Sequence, residues 1–175
     1  MAPSNGRANG RASGRASGRA VIVEVTDRQR LLRVSPRWIG SVARRALRAE
    51  GVEAAELGVM LVDDRRMAAL HERWLGVPGP TDVITFDLAA GPAVAGVLRG
   101  DIVVSTETAR RQAGAFGWTP RRELAYYVVH GILHLTGHDD RTTAARRAMR
   151  SRERAVMRAC GLPLPPRARS AGARP

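Results

Sequence analysis

Thr119-Pro120 opens the segment that most constrains this chain, a helix ending in histidines. The threonine hydroxyl can accept from a free N–H of the first turn, and proline's missing N–H falls where a helix has no partner for one. Leu124, Val128, Ile132 and Leu135 then recur at helical spacing and predict one buried face. Glu123, Tyr127, His130 and His134 share a neighbouring face at intervals of four, three and four. Side chains four apart on a helix stack over each other, so the His130 and His134 imidazoles can converge on one ion. Gly137 permits the left-handed turn that ends the helix and swings the chain back, and His138, Asp139 and Asp140 follow at once. Zinc takes about four ligands, and a catalytic site keeps one of these positions for water. Two helical histidines and one ligand from the returning loop meet that requirement. Three of the chain's four histidines fall in this stretch, which favours a metal site over a polar helix edge that carries two histidines.

The rest of the chain supports one folded body between two tails. Residues 6–20 repeat a four-residue Gly-Arg-Ala-(Asn/Ser) unit with almost nothing to bury, so residues 1–19 are expected to be disordered. Pro163-Leu164-Pro165-Pro166 stops any helix, and 163–175 is expected to be a second disordered, basic tail. The body, 20–162, alternates in pattern. Val21–Val25, Leu57–Val62, Val83–Phe86 and Asp101–Ser105 read as strands. Helical stripes follow Ser35-Pro36 up to Gly51, then run Met67, Leu70, Trp74, Leu75, then Glu107 to Phe116, and finally Thr143 to Cys160. Gly91 to Gly96 reads as a turn or loop. The order β-α-β-α-β-β-α-α-α predicts a single mixed α/β (α+β) domain, with about four strands covered by helices and a zinc site at the end of the histidine-bearing helix. Strand order in the sheet is not readable from this pattern.

Charge bears on partners. The formal charge is +13, and all 29 basic residues are arginine. Arginine's planar fork matches phosphate oxygens, which suggests a nucleic acid, although a genome's base composition also favours arginine over lysine. Seven arginines lie in the tails: Arg7, Arg11, Arg15, Arg19, Arg167, Arg169 and Arg174. Cys160 is the one cysteine, so no intrachain disulfide forms and no cysteine cluster holds the metal. No apolar run approaches membrane-spanning length and the first twenty residues lack a secretory apolar stretch, so a cytoplasmic location without membrane partners is expected. Aromatics make up 4% of residues, which argues against base-stacking platforms and leaves RNA contact to arginine and backbone amides.

His130-Gly-Ile-Leu-His134-Leu-Thr-Gly137-His138-Asp139-Asp140 resembles the H-G-x-L-H-L-x-G-Y-D-H signature of the YbeY family. Pro80-Thr81-Asp82-Val83-Ile84-Thr85-Phe86 is similar to that family's P-T-D-V-L-S-F, and Gly100-Asp101-Ile102-Val103-Val104-Ser105 to its G-D-I-x-I-S. The resemblance spans roughly residues 21 to 160. It implies a zinc-dependent, single-strand-specific endoribonuclease that matures ribosomal RNA, especially near the small-subunit 3′ end. The implied partners are ribosomal RNA and the small subunit or its proteins. Two positions depart from the pattern. The family's third zinc-binding histidine falls at Asp140, a legitimate oxygen ligand, with His138 as the alternative third ligand. An arginine usual six residues before the threonine is replaced by Leu75, with Arg73 two positions away.

Two other functions compete. A zinc protease would carry a glutamate directly after His130, where Gly131 stands, which argues against it. A non-catalytic, zinc-containing ribosome-assembly factor that binds rRNA is favoured by Leu75. Beyond the metal-bound water no catalytic group stands out; Asp101 and Arg73 are weak candidates. Asp82 and Asp101 are otherwise turn-formers at strand starts, Glu123 a solvated first-turn residue or a partner to a histidine, and His71 a surface residue.

Overall fold

In this computed structural model the described residues are 20–88 and 96–164. The two tails up to residue 19 and from 165, and residues 91–95 of the expected loop, lie outside them. The chain runs β1 (Val21–Asp27), α1 (Pro36–Ala49), β2 (Ala55–Val62), α2 (Asp64–Leu75), β3 (Val83–Asp87), β4 (Leu98–Ser105), α3 (Thr106–Phe116), α4 (Pro120–Leu135) and α5 (Thr143–Ala159). Element order agrees with the pattern read from sequence. Strand β4 begins three residues earlier than Asp101, because Leu98 N already bonds the Ala54 carbonyl and Leu88 N the Arg99 carbonyl. Leu162 and Leu164 pack against the core beyond the last helix.

The sheet order is β1-β2-β4-β3; β1, β2 and β4 are parallel and β3 runs antiparallel to β4. This register sorts the faces. Leu57, Val59 and Leu61 of β2 stand opposite Gly100, Ile102 and Val104 of β4, and all six are buried. Helices α1 and α4 cover this face with Ile39, Val42, Leu47, Leu124, Val128 and Ile132. The other face is covered in part by α2, through Met67 against Val62, Ile84 and Val103. The rest of it stays open, with Ile22, Met60 and Leu88 exposed. Helix α5 turns Met149, Val156 and Met157 into the main core and lies along α4 and α1. With β3 at the sheet's outer edge and α4 beside it, a groove is left between them.

Candidate metal centre

Helix α4 places the site by the way it starts, crosses the sheet and stops. Thr119 caps it, its hydroxyl accepting from Arg122 N at 3.2 Å, and Pro120 follows. Residue 131 has no side chain, so α4 lies close to the sheet. A Cβ there would stand 2.9 Å from Ile102 Cγ2 and 3.0 Å from Thr85 Oγ1. At the far end His138 N donates to the Leu133 carbonyl, and Gly137 adopts a φ of 91°. That left-handed residue reverses the chain and returns Asp140 to the histidines.

His130 Nε2 and His134 Nε2 are 3.0 Å apart, and with an Asp140 carboxylate oxygen they lie within 4.8 Å of one another. The outer ring nitrogens are engaged elsewhere. His130 Nδ1 donates to Glu153 Oε1 at 2.7 Å, and His134 Nδ1 to the His138 carbonyl at 3.1 Å. Each ring is thus held with its Nε2 lone pair turned toward the cluster. Glu153 is buried and its second oxygen accepts from the Tyr126 hydroxyl at 2.8 Å. Burial alone lowers the pKa of His130, but the hydrogen bond and charge of Glu153, with the charges of Asp82 and Asp140, hold it above the ordinary imidazole value. The cluster therefore favours positive charge where its three ligand atoms converge. Two imidazole nitrogens and one carboxylate oxygen, with outer hydrogen bonds satisfied, are a donor set that fits a divalent metal ion.

His138, the alternative third ligand, is drawn elsewhere. Its Nε2 lies 3.0 Å from Glu50 Oε2, a buried carboxylate that also takes Arg152 Nε at 2.7 Å and the Thr136 hydroxyl at 3.3 Å. The residue serves the cluster through its backbone carbonyl, while its ring ties the ligand loop to the end of α1.

The cluster opens onto a groove of about 540 Å³, lined by His130, His134 and Leu135, by Asp82 through Asp87, and by Trp74 and Leu75. Asp82 caps the start of β3, its Oδ1 accepting from Val83 N at 2.9 Å and from the Thr81 hydroxyl at 3.1 Å. Asp101 is not brought to this site. It points from β4 to the open face of the sheet, opposite the face that α4 covers, across from Gly58. Arg73 is exposed and its guanidinium lies 5.4 Å from the Trp74 ring centre. Glu123 is buried at 1% exposure, against the expectation of a solvated residue, on a helix against which α3 packs. His71 is half-buried and its Nδ1 lies 2.8 Å from the Gly79 carbonyl, which fixes the turn before β3.

Sequence reading missed Glu153 and Trp74. Glu153 is the single acid of α5 and lies in line with Met149, Val156 and Met157 on its buried stripe, a detectable anomaly. Trp74 belongs by spacing to an apolar stripe, yet it is 57% exposed, packs edge-on to Phe86 at 5.6 Å, and gives the groove an aromatic wall despite the low aromatic content.

Fold and site together define a mixed α/β domain with a two-histidine, one-carboxylate cluster able to hold a metal ion at the end of α4. Residues 24–161 match the family described as Endoribonuclease YbeY, and the chain belongs to that family. Proteins of that name are similar over most of its length. The one from Moorella thermoacetica is 41% identical over 133 residues, spanning 71% of this chain and 85% of its own. The one from Desulforamulus reducens is 36% identical over 145 residues, 79% of this chain and 92% of its own. The solution structure of a Thermotoga maritima protein shares the fold at a TM-score of 0.58 and 21% identity, covering 79% of this chain and 89% of that one. Among the described residues no helix is long and apolar enough to cross a membrane.

Proposed function

We propose that this chain is a zinc-dependent endoribonuclease that cleaves single-stranded ribosomal RNA precursors near the small-subunit 3′ end during ribosome assembly in the cytoplasm. One observation carries the reading: in a member of the Endoribonuclease YbeY family, His130, His134 and Asp140 converge beside an open groove. The ligands are His130 and His134 through Nε2 and Asp140 through a carboxylate oxygen. A zinc ion held there supplies Lewis acidity toward a phosphate oxygen and lowers the pKa of a water toward about 7. The chain's own residues do the rest. Glu153 and the His138 carbonyl fix both imidazoles. The groove along β3 accepts an extended strand and Trp74 offers a ring face to a base. The second reading, a non-catalytic assembly factor that binds rRNA, is favoured by Leu75, which lines the groove where the family usually has an arginine.

The test is incubation of single-stranded ribosomal RNA with the purified chain and with His134→Ala, each with and without chelator. Cleavage by the untreated wild type alone is expected. Equal cleavage by both proteins would assign the activity to a contaminant, and silence in both would favour the assembly factor.

A further inference from the structure

Helix α5 contributes more than Glu153. Its solvent face carries Arg146, Arg147, Arg150, Arg154 and Arg158, all exposed and none in an ion pair among the described residues. At about 100° per residue they fall within an arc of about 120°. The helix's single acid, Glu153, is buried, so this face has no counter-charge of its own. Arginine in place of lysine is what base composition yields; the absence of acids from the whole exposed face is not. Arginines three and four apart repel one another, so the stripe destabilises the free helix.

The stripe is also oriented. Around α5, Arg152 reaches Glu50 and the Ala49 carbonyl on α1, and Glu153 reaches His130. The five arginines follow on the far side of Glu153 from Arg152, so they flank the metal cluster rather than α1. The helix begins three residues after Asp140, is about 25 Å long, and passes the cluster where Glu153 meets His130.

Resting on the endoribonuclease reading, we propose that the arginine stripe of α5 is a track for the phosphate backbone of single-stranded RNA, leading the strand to the His130–His134–Asp140 cluster. Arg150, Arg154 and Arg158 rise about 6 Å from one to the next, comparable to the separation of neighbouring phosphates along a stretched strand. Guanidinium forks suit phosphate oxygens. An anionic lipid surface is disfavoured because Met149, Val156 and Met157 are buried in the core, which leaves α5 no apolar face to insert.

The test measures binding of a labelled single-stranded oligouridylate to the full chain, with chelator present so that nothing is cleaved, across a range of salt. The variant is Arg147→Gln, Arg150→Gln, Arg154→Gln. A control of equal charge, Arg65→Gln, Arg66→Gln, Arg110→Gln, changes exposed arginines of α2 and α3. The slope of log affinity against log salt is expected to shrink by about 2 in the α5 variant and to stay unchanged in the control. Matching thermal melts confirm the fold, and the double variant Arg150→Gln, Arg154→Gln, expected to lose about 1.4 of slope, replaces the triple if melts differ. Equal slopes in variant and wild type, or equal losses in variant and control, overturn the track. So does binding to phosphatidylserine vesicles or polyglutamate that depends on the stripe when RNA binding does not. A wild type that fails to cut RNA yet binds it through α5 sinks the nuclease reading and leaves the track standing. Normal cleavage with an unchanged slope does the reverse.

Discussion

Glu153 is the residue on which the site's precision depends. Its two oxygens hold His130 Nδ1 at 2.7 Å and the Tyr126 hydroxyl at 2.8 Å, and it sits on a helix remote in sequence from the histidines. Outer partners of metal-binding histidines typically change affinity by about 10–100-fold when removed. Glu153→Gln keeps the shape and weakens the acceptor, so metal affinity measured by competition with a chromophoric chelator is expected to fall by about tenfold or more. Tyr126→Phe, which removes only the second contact, is expected to lose less. Equal affinity in Glu153→Gln and wild type would show that the contact does not orient the ring.

Elements meet at contacts that tolerate little change. One is Gly131 of α4 against Ile102 and Thr85, where an added methyl must displace two strands or the helix. Gly131→Ala is expected to destabilise the fold by about 1–3 kcal/mol in denaturant melts and to reduce activity further by lifting the histidines off β3. A polar joint ties α2 to α3. Asp64 accepts from the Ser105 hydroxyl, from Thr108 Oγ1 at 2.8 Å and from Arg111 Nη1 at 2.9 Å. Burial raises its pKa, but these hydrogen bonds and the Arg111 charge outweigh it and hold the carboxyl below its ordinary 3.8. Because the folded value is the lower one, the joint contributes its full stability above the unfolded pKa and loses it as pH falls through the folded pKa. Asp64→Asn is expected to be less stable than wild type near neutral pH, with the gap closing as pH falls below the ordinary carboxyl value of 3.8 in pH-dependent melts. A constant gap through that fall in pH would assign the loss to packing.

For the whole molecule, the metal cluster is a staple as well as a site. His130 and His134 lie on α4, Asp140 on the loop beyond it, and Glu153 on α5, so an ion held there links the last three segments of the fold. Free metal at a hundredfold over its dissociation constant stabilises a folded protein by about 2.7 kcal/mol. In a chain of this size that is a melting shift of roughly 5–10 °C. Zinc is expected to raise Tm by that amount over chelator-treated protein, and His134→Ala to abolish the rise. An equal rise in both would place the ion elsewhere.

Sequence by itself determined what depends on local spacing. Thr119-Pro120 and Gly137 set the ends of α4, the interval of four put His130 and His134 on one face, and short apolar, β-branched runs marked the four strands. The family resemblance added Asp140, which the cluster includes and which lies beyond any helical periodicity. Tertiary structure decided what depends on segments distant along the chain. With α4 packed on the face that carries Ile102 and Val104, Asp101 was left on the open face of the sheet, away from the histidines. Packing of α5 on α4 made Glu153 a partner of His130, and Glu50 on α1 took the His138 ring. Pattern along one helix shows which residues share a face; only the packed fold shows what that face meets.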